Sequence, residues 1–182
     1  PADHSQNLTG IWPKKVVNYK TVMSDAASGF TSVTYPFPVI RMADLYLMYA
    51  EALNEKGEDY ATVLPWIDMV RERSGLQGVK ESWDQYVGNS KYATQTGLRQ
   101  IIMQERRIEL AFEGHYFWDV RRWKTATTEL TQPLTGWKVR YGETDVDYYS
   151  ENLVLVRDFT PKMYFWPIDI GELRKDPNLV QN

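Results

Sequence analysis

Apolar and polar residues recur with helical spacing along three stretches of this chain and lose that spacing between them. Residues 40–56, "IRMADLYLMYAEALNEK", are the clearest helix, stopped by Gly57. At about 100° per residue, Leu45, Tyr46, Met48, Tyr49, Ala52 and Leu53 form one broad apolar face. Ala43, Leu47 and Ala50 lie on the opposite side, and Asp44, Glu51 and Glu55 share a narrow polar strip. A helix apolar nearly all round needs neighbours on several sides. A second helix is predicted over residues 59–74, closing on Gly75, with Pro65 either kinking it or marking its first turn. The short link at Gly57 joins the two as an antiparallel helical hairpin over residues 40–75.

The periodicity then fades. Residues 76–96 read as a loop holding Trp83, Tyr86 and Tyr92. A helical block over 97–124 follows, with a third helix from Leu98 to Glu113, stopped by Gly114, and a fourth from Tyr116 to Lys124. Residues 125–182 form a loop-rich end with one strand-like run, "NLVLVRDF", an extended "KMYFWPID" and a last helical turn or loop, "GELRKDPNLVQN". Residues 1–39 are an irregular lead-in. Within it "IWPKKVVNYKTVM" has strand character, "SDAASGFTS" is a loop, and the prolines of "TYPFPV" hold the backbone extended. The expected fold is mainly α, in a single domain over 1–182 with few short strands.

Composition narrows the function classes. With 182 residues, 43% hydrophobic and 25% charged, the chain can bury a real core. Twenty-one basic against 24 acidic residues give a net charge of −3, which argues against nucleic acid or an anionic membrane surface as partner. The absence of cysteine removes disulfides, thiolate chemistry and cysteine zinc sites, and two histidines, His4 and His115, are too few for a histidine-rich metal site. No metal or cofactor is expected. No apolar run reaches the ~18 residues that span a bilayer, no signal-peptide pattern opens the chain, and the opening "PADHSQNLTG" reads as part of a mature or truncated piece.

The densest chemistry lies in "ERRIELAFEGHYFWDVRRW", residues 105–123, with four arginines, four acids and five aromatics. On the third helix Leu98, Ile101, Ile102, Ile108 and Phe112 span an arc of about 120°, and Glu105 and Glu109 fall inside it. Two carboxylates among apolar neighbours need partners or raised pKa values. Arg106 borders that face, and Arg121 borders the apolar arc of the fourth helix, formed by Tyr116, Phe117, Val120 and Trp123. A guanidinium fork can meet a carboxylate through two hydrogen bonds. Residues four apart point the same way from one helix face, whereas a glycosidase needs two carboxyls flanking a bond, ~5 Å or ~6.5–9.5 Å apart. Glu105, Arg106, Glu109 and Arg121 are therefore expected to be structural ion pairs rather than an acid/base pair. His115 has no serine or cysteine to activate, and Asp119 reads as a helix-surface or capping acid.

Four segments in order carry a family resemblance: "IRMADLYLMYAEALNEKG", "IDMVRERSGL", "IIMQERRIELAFEGHYFWDVRRWK" and "KMYFWPID" with "DPNLVQN". They resemble the C-terminal portion of SusD/RagB-like proteins and cover most of residues 40–124 and 161–182. Asp68 and Asp169 stand where that family more often has Asn and Pro, and Ser74 where it has Ala. The resemblance implies a tetratricopeptide-like hairpin and a non-catalytic, surface-exposed outer-membrane lipoprotein. Such a protein binds a glycan or other nutrient and passes it to a SusC-like TonB-dependent transporter. Any membrane association would then come only from a lipid anchor upstream of this chain, and the second apolar side of helix 40–56 would pack on helices that are also upstream.

Aromatics make up 14% of the chain, with seven Trp and twelve Tyr. Trp66, Trp118, Trp123 and Trp166 lie in the family-like segments and are expected in the core. Trp83, Tyr86 and Tyr92 lie in one loop, and Trp137, Tyr141, Tyr148 and Tyr149 in another. Sugars stack C–H faces on such rings, so these seven are the candidate ligand-binding residues, with core cover as the plainer alternative for each. Two other functions compete with nutrient binding: a helical scaffold that binds only protein, and a glycoside hydrolase using Glu105, Glu109, Glu113 or Asp119.

Overall fold

A computed structural model of the chain describes residues 9–11, 13–23, 29–138 and 143–181. The opening residues 1–8 with His4, Trp12, most of the "SDAASGFTS" loop and Tyr141 lie outside the described residues. The chain divides into two compact units, Lys14–Tyr116 and Pro1–Pro13 with Phe117–Asn182. The fold is mainly α. Among the described residues the strands form two two-stranded antiparallel ribbons.

The Lys14–Tyr116 unit opens with a ribbon of β1 (Val22–Met23) and β2 (Phe30–Thr31), so only the end of "IWPKKVVNYKTVM" pairs as strand. Helix α1 (Met42–Lys56) and helix α2 (Tyr60–Arg73) form the hairpin. Gly57 takes φ +90°, and Glu58 N donates back to Leu53 O at 3.1 Å, the left-handed stop that an L side chain resists. Asp59 starts α2 by accepting from Thr62 N at 3.1 Å. Pro65 therefore sits inside α2, beyond its first turn.

Residues 76–96 are more ordered than a loop. Helix α3 (Val79–Ser82) runs into a π-helical turn, Trp83–Val87, and a 3₁₀ turn, Lys91–Ala93, precedes helix α4 (Gln95–Glu109). The Asp68 carboxylate accepts from Val79 N at 2.7 Å and fixes the start of α3, a tertiary anchor that local periodicity does not register. Helix α4 starts at Gln95, three residues before its apolar pattern, and stops at Glu109, because the Thr94 hydroxyl caps it and Phe112 turns left-handed at φ +64°.

The core gathers Ala43, Leu47 and Ala50 of α1, Val63, Leu64, Ile67 and Val70 of α2, and Leu98, Ile101 and Ile102 of α4, closed by Val79 and Tyr92. Fully burying a side chain such as Leu47 or Ile67 contributes about 1.5–3 kcal/mol. This reverses the expected orientation of α1. The face carrying Ala43, Leu47 and Ala50 is inside, while Met42, Leu45, Met48 and Tyr49 are exposed. Small alanines let α2 and α4 approach closely, whereas Tyr46 and Leu53 reach the core only from its edge. Buried Asn54 donates to Gln95 O at 3.2 Å, and Gln95 returns a bond to Asn54 O at 2.7 Å, fastening the end of α1 to the start of α4.

The other unit takes in helix α5 (His115–Arg122) from Phe117 onward, then helix α6 (Ala126–Glu129), strand β3 (Leu134–Trp137), helix α7 (Asp145–Tyr148) and strand β4 (Glu151–Leu155). Strands β3 and β4 pair with Trp137 opposite Glu151 and an irregularity between Leu134 and Thr135. "KMYFWPID" is not extended throughout, since Pro161–Tyr164 make a 3₁₀ turn before helix α8 (Ile170–Lys175). Phe159 is buried and meets the Tyr164 ring edge-on at 5.1 Å. Trp118 and Trp166, expected in the core, are exposed, as are Ile108 and Phe112. Trp66 alone of the expected tryptophans packs on the helical core.

Candidate functional site

The acids of the charged stretch meet cations that come mostly from distant elements. Glu105 pairs with Arg71, which also donates to Gln77 O at 2.8 Å and Ser82 Oγ at 3.0 Å. Arg106 is buried and reaches Asp44 Oδ1 at 2.9 Å. Glu109 receives Arg41 and Arg73, each at 2.8 Å, and Glu113 receives Arg41 at 2.8 Å and Lys15 at 2.6 Å. Burial pushes the Glu113 carboxyl up, but hydrogen bonds from Arg41 and Lys15 outweigh it and leave its pKa lowered. Asp119 corrects its expected surface position: it is buried and accepts from Arg122 Nε at 2.8 Å.

Arg121 departs from the expected ion pairs. Its guanidinium lies 3.5 Å from the Phe117 ring centroid and 5.2 Å from that of Phe159, and its Nη1 donates to Phe117 O at 2.8 Å. Helix phase supplies Phe117, four residues earlier on α5, and tertiary packing adds Phe159. None of Glu105, Glu109, Glu113 or Asp119 stands apart from a cation. Among the described residues no group of three or more His, Cys, Asp or Glu could hold a metal ion. No helix there is long and apolar enough to cross a membrane.

The aromatic candidates separate by environment. Tyr92 is a core residue, buried against Tyr60 with ring centroids 5.4 Å apart, and its hydroxyl donates to Asp84 at 2.8 Å. No ligand can reach its face. Trp83 is half-buried against the core, with Lys91 Nζ 5.5 Å from its ring. Tyr86 is 72% exposed on the π-helical turn.

Trp137, Tyr148 and Tyr149 do come together. The Trp137 and Tyr149 rings meet edge-on at 5.7 Å, and those of Tyr148 and Tyr149 at 5.0 Å. Strand β3 positions Trp137, whose N–H donates to Thr9 O at 3.0 Å. A side chain on Gly136 would begin 2.6 Å from Thr9 Cα, so only glycine allows this approach. The result is a cleft of about 250 Å³ lined by Ile11, Thr135, Gly136, Trp137 and Glu151. It combines an indole face with a carboxylate and a hydroxyl, the polar and apolar pairing that a sugar ring requires. Residue type alone does not distinguish Glu151 and Thr135 from other polar positions of the chain. The signal that finds them is the pairing of "LTGW" with "ENLVL", which puts Glu151 opposite Trp137.

Comparison with known proteins agrees with this architecture. A sequence profile of the SusD family matches residues 1–182. SusD-like protein P25 of Formosa agariphila is 39% identical over 144 residues, which are 79% of this chain and 23% of that protein. SusD-like protein P2 of the same organism is 37% identical over 98 residues, 53% of this chain and 18% of that protein. A crystal structure of a SusD-like protein from Bacteroides fragilis superposes with a TM-score of 0.64 at 30% identity, covering 83% of this chain and 28% of its own. The chain thus spans roughly a fifth to a quarter of the length of the curated relatives it matches. A helical hairpin and charged helical block in this order, matched along the whole chain, place it in the SusD family.

Proposed function

We propose that this chain is part of a non-catalytic glycan- or nutrient-binding subunit at the bacterial outer-membrane surface. It is held there by a lipid anchor and hands its ligand to a SusC-like TonB-dependent transporter. Family membership supports this role. The single observation that carries it here is the edge-on Trp137–Tyr149 pair beside the Glu151 cleft. An indole held by the β3–β4 ribbon stacks on the apolar face of a sugar, while Glu151 and Thr135 take its hydroxyls. Tyr149, 60% exposed, extends the platform, and Tyr148 packs edge-on against it. Tyr86 and Trp83 belong to the other unit and are weaker ligand candidates, one without a cleft around it and the other half-covered.

A glycan panel followed by calorimetric titration tests this reading. A neutral oligosaccharide is expected to bind without release of sugar products. Trp137→Ala should weaken it about tenfold or more, as for a central aromatic anchor. Turnover of the bound glycan, or full affinity in Trp137→Ala, overturns it.

A further inference from the structure

A second aromatic cleft lies elsewhere in the Phe117–Asn182 part of the chain. It has a volume of about 240 Å³, and its lining includes Phe117, Arg121, Met163, Phe165, Trp166 and Pro167. Phe165 and Trp166 are 71% and 74% exposed, and Phe117 meets Trp166 at 6.4 Å with the rings tilted by 37°. Neighbouring large apolar side chains left open to water mark a binding surface. The cleft also holds a positive charge. Arg121 is fixed by stacking on Phe117 and by its single bond to Phe117 O, and among the described residues it meets no carboxylate. A guanidinium carries five N–H donors, so most of this fork remains available to a ligand.

We propose that this cleft is a subsite for an acidic sugar, a uronic acid residue whose ring lies on Trp166 and whose carboxylate is received by Arg121. The chemistry is complementary at each end. The indole face takes the axial C–H groups of the ring, and the planar guanidinium takes the carboxylate through paired hydrogen bonds. A neutral sugar leaves the cation unmatched, and a simple anion leaves the rings uncovered. The subsite deepens the glycan-binding reading and rests on it, but uses residues distinct from the Trp137 platform.

The test is calorimetric titration with a short oligogalacturonate and with its carboxyl-reduced, neutral counterpart, at low and high salt. The oligogalacturonate is expected to bind more tightly than the neutral sugar, with the advantage shrinking as salt rises. Arg121→Gln should cost about ten- to a hundredfold for the uronate, the value of a charge-assisted hydrogen bond, and leave the neutral sugar unchanged. Arg121→Lys should recover part of the loss, and circular dichroism of each variant should match the parent. Equal binding of both sugars, or uronate affinity indifferent to Arg121→Gln, overturns the subsite. So does preference for an aromatic peptide ending in a free carboxylate. If the neutral sugar still binds through Trp137 in those cases, glycan binding stands and only the subsite fails. If neither sugar binds, the subsite falls, and the glycan panel with Trp137→Ala decides the broader reading.

Discussion

The guanidinium of Arg106 lies 2.9 Å from Asp44 Oδ1, joining α4 to α1 through a charge pair whose arginine is 3% exposed. Removing Asp44 takes a charge-assisted hydrogen bond from a guanidinium that water barely reaches. That loss exceeds the net worth of the intact pair. Asp44→Ala is therefore expected to destabilise the helical unit by about 1.5–3 kcal/mol, read as a shift in urea midpoint. A midpoint unchanged by Asp44→Ala would show that the pair contributes nothing.

Glu109 presents a different balance. Glu109→Ala removes the acceptor shared by Arg41 and Arg73, but Arg41 retains Glu113, and Arg73 is more than half exposed. Neither arginine is stranded in the interior. The cost should be about 1–3 kcal/mol, nearer that of lost hydrogen bonds than of a broken buried pair. Parallel denaturation of the two variants checks the order, and a larger loss in Glu109→Ala than in Asp44→Ala contradicts it.

Acid titration should reveal two carboxyls with opposite signs. Glu113 is pushed up by burial but held lower overall by Arg41 and Lys15. Its stabilisation is present above the ordinary glutamate pKa and disappears as pH falls through the lowered folded value. Asp68 is raised, because burial outweighs the Val79 N–H and the Arg71 charge. Its favourable contribution is present below the ordinary aspartate pKa and is lost as pH rises through the raised folded value. Urea midpoints between about pH 3 and pH 7 should show a shallower acid loss for Glu113→Gln. Asp68→Asn, which keeps the acceptor for Val79 without the buried charge, should gain relative to the parent toward neutral pH. The same pH slope in parent and both variants would contradict these assignments.

Two glycines separate space from backbone conformation. A Cβ on Gly97 would lie 2.0 Å from Lys91 O, so Gly97→Ala must push the 3₁₀ turn away from α4. The expected loss is about 1–3 kcal/mol, as for overpacking. Gly57 faces open space but sits at φ +90°. Gly57→Ala should cost only about 1 kcal/mol, from strain in the left-handed region. Thermal melts of the two variants give the comparison, and equal losses would remove the steric argument.

The main helices were legible in the sequence because their boundaries are local. Gly57 and Gly75 end α1 and α2 in left-handed turns, and the apolar spacing from Leu98 to Ile102 marks α4. The inward face of α1 is not legible from a helical wheel, because a wheel weighs hydrophobicity and the core here admits the smaller residues, Ala43 and Ala50. Partner choice was illegible for a related reason. Helix phase shows that Glu105 needs a cation, but only the packed arrangement makes it Arg71 rather than Arg106. For the candidate platform, Trp137, Tyr148 and Tyr149 were visible as loop aromatics, whereas Tyr92 looked equivalent to them and proved to be core. Glu151 required the β3–β4 register.

The contact of Gly136 and Trp137 with Thr9 means that the proposed sugar cleft is built from chain segments far apart in sequence. Bringing such segments together costs loop entropy before any contact repays it. The cleft should consequently be among the last features completed as this part of the chain folds. A sugar that stabilises the finished cleft would then act as a clasp, slowing the release of the leading segment from the ribbon.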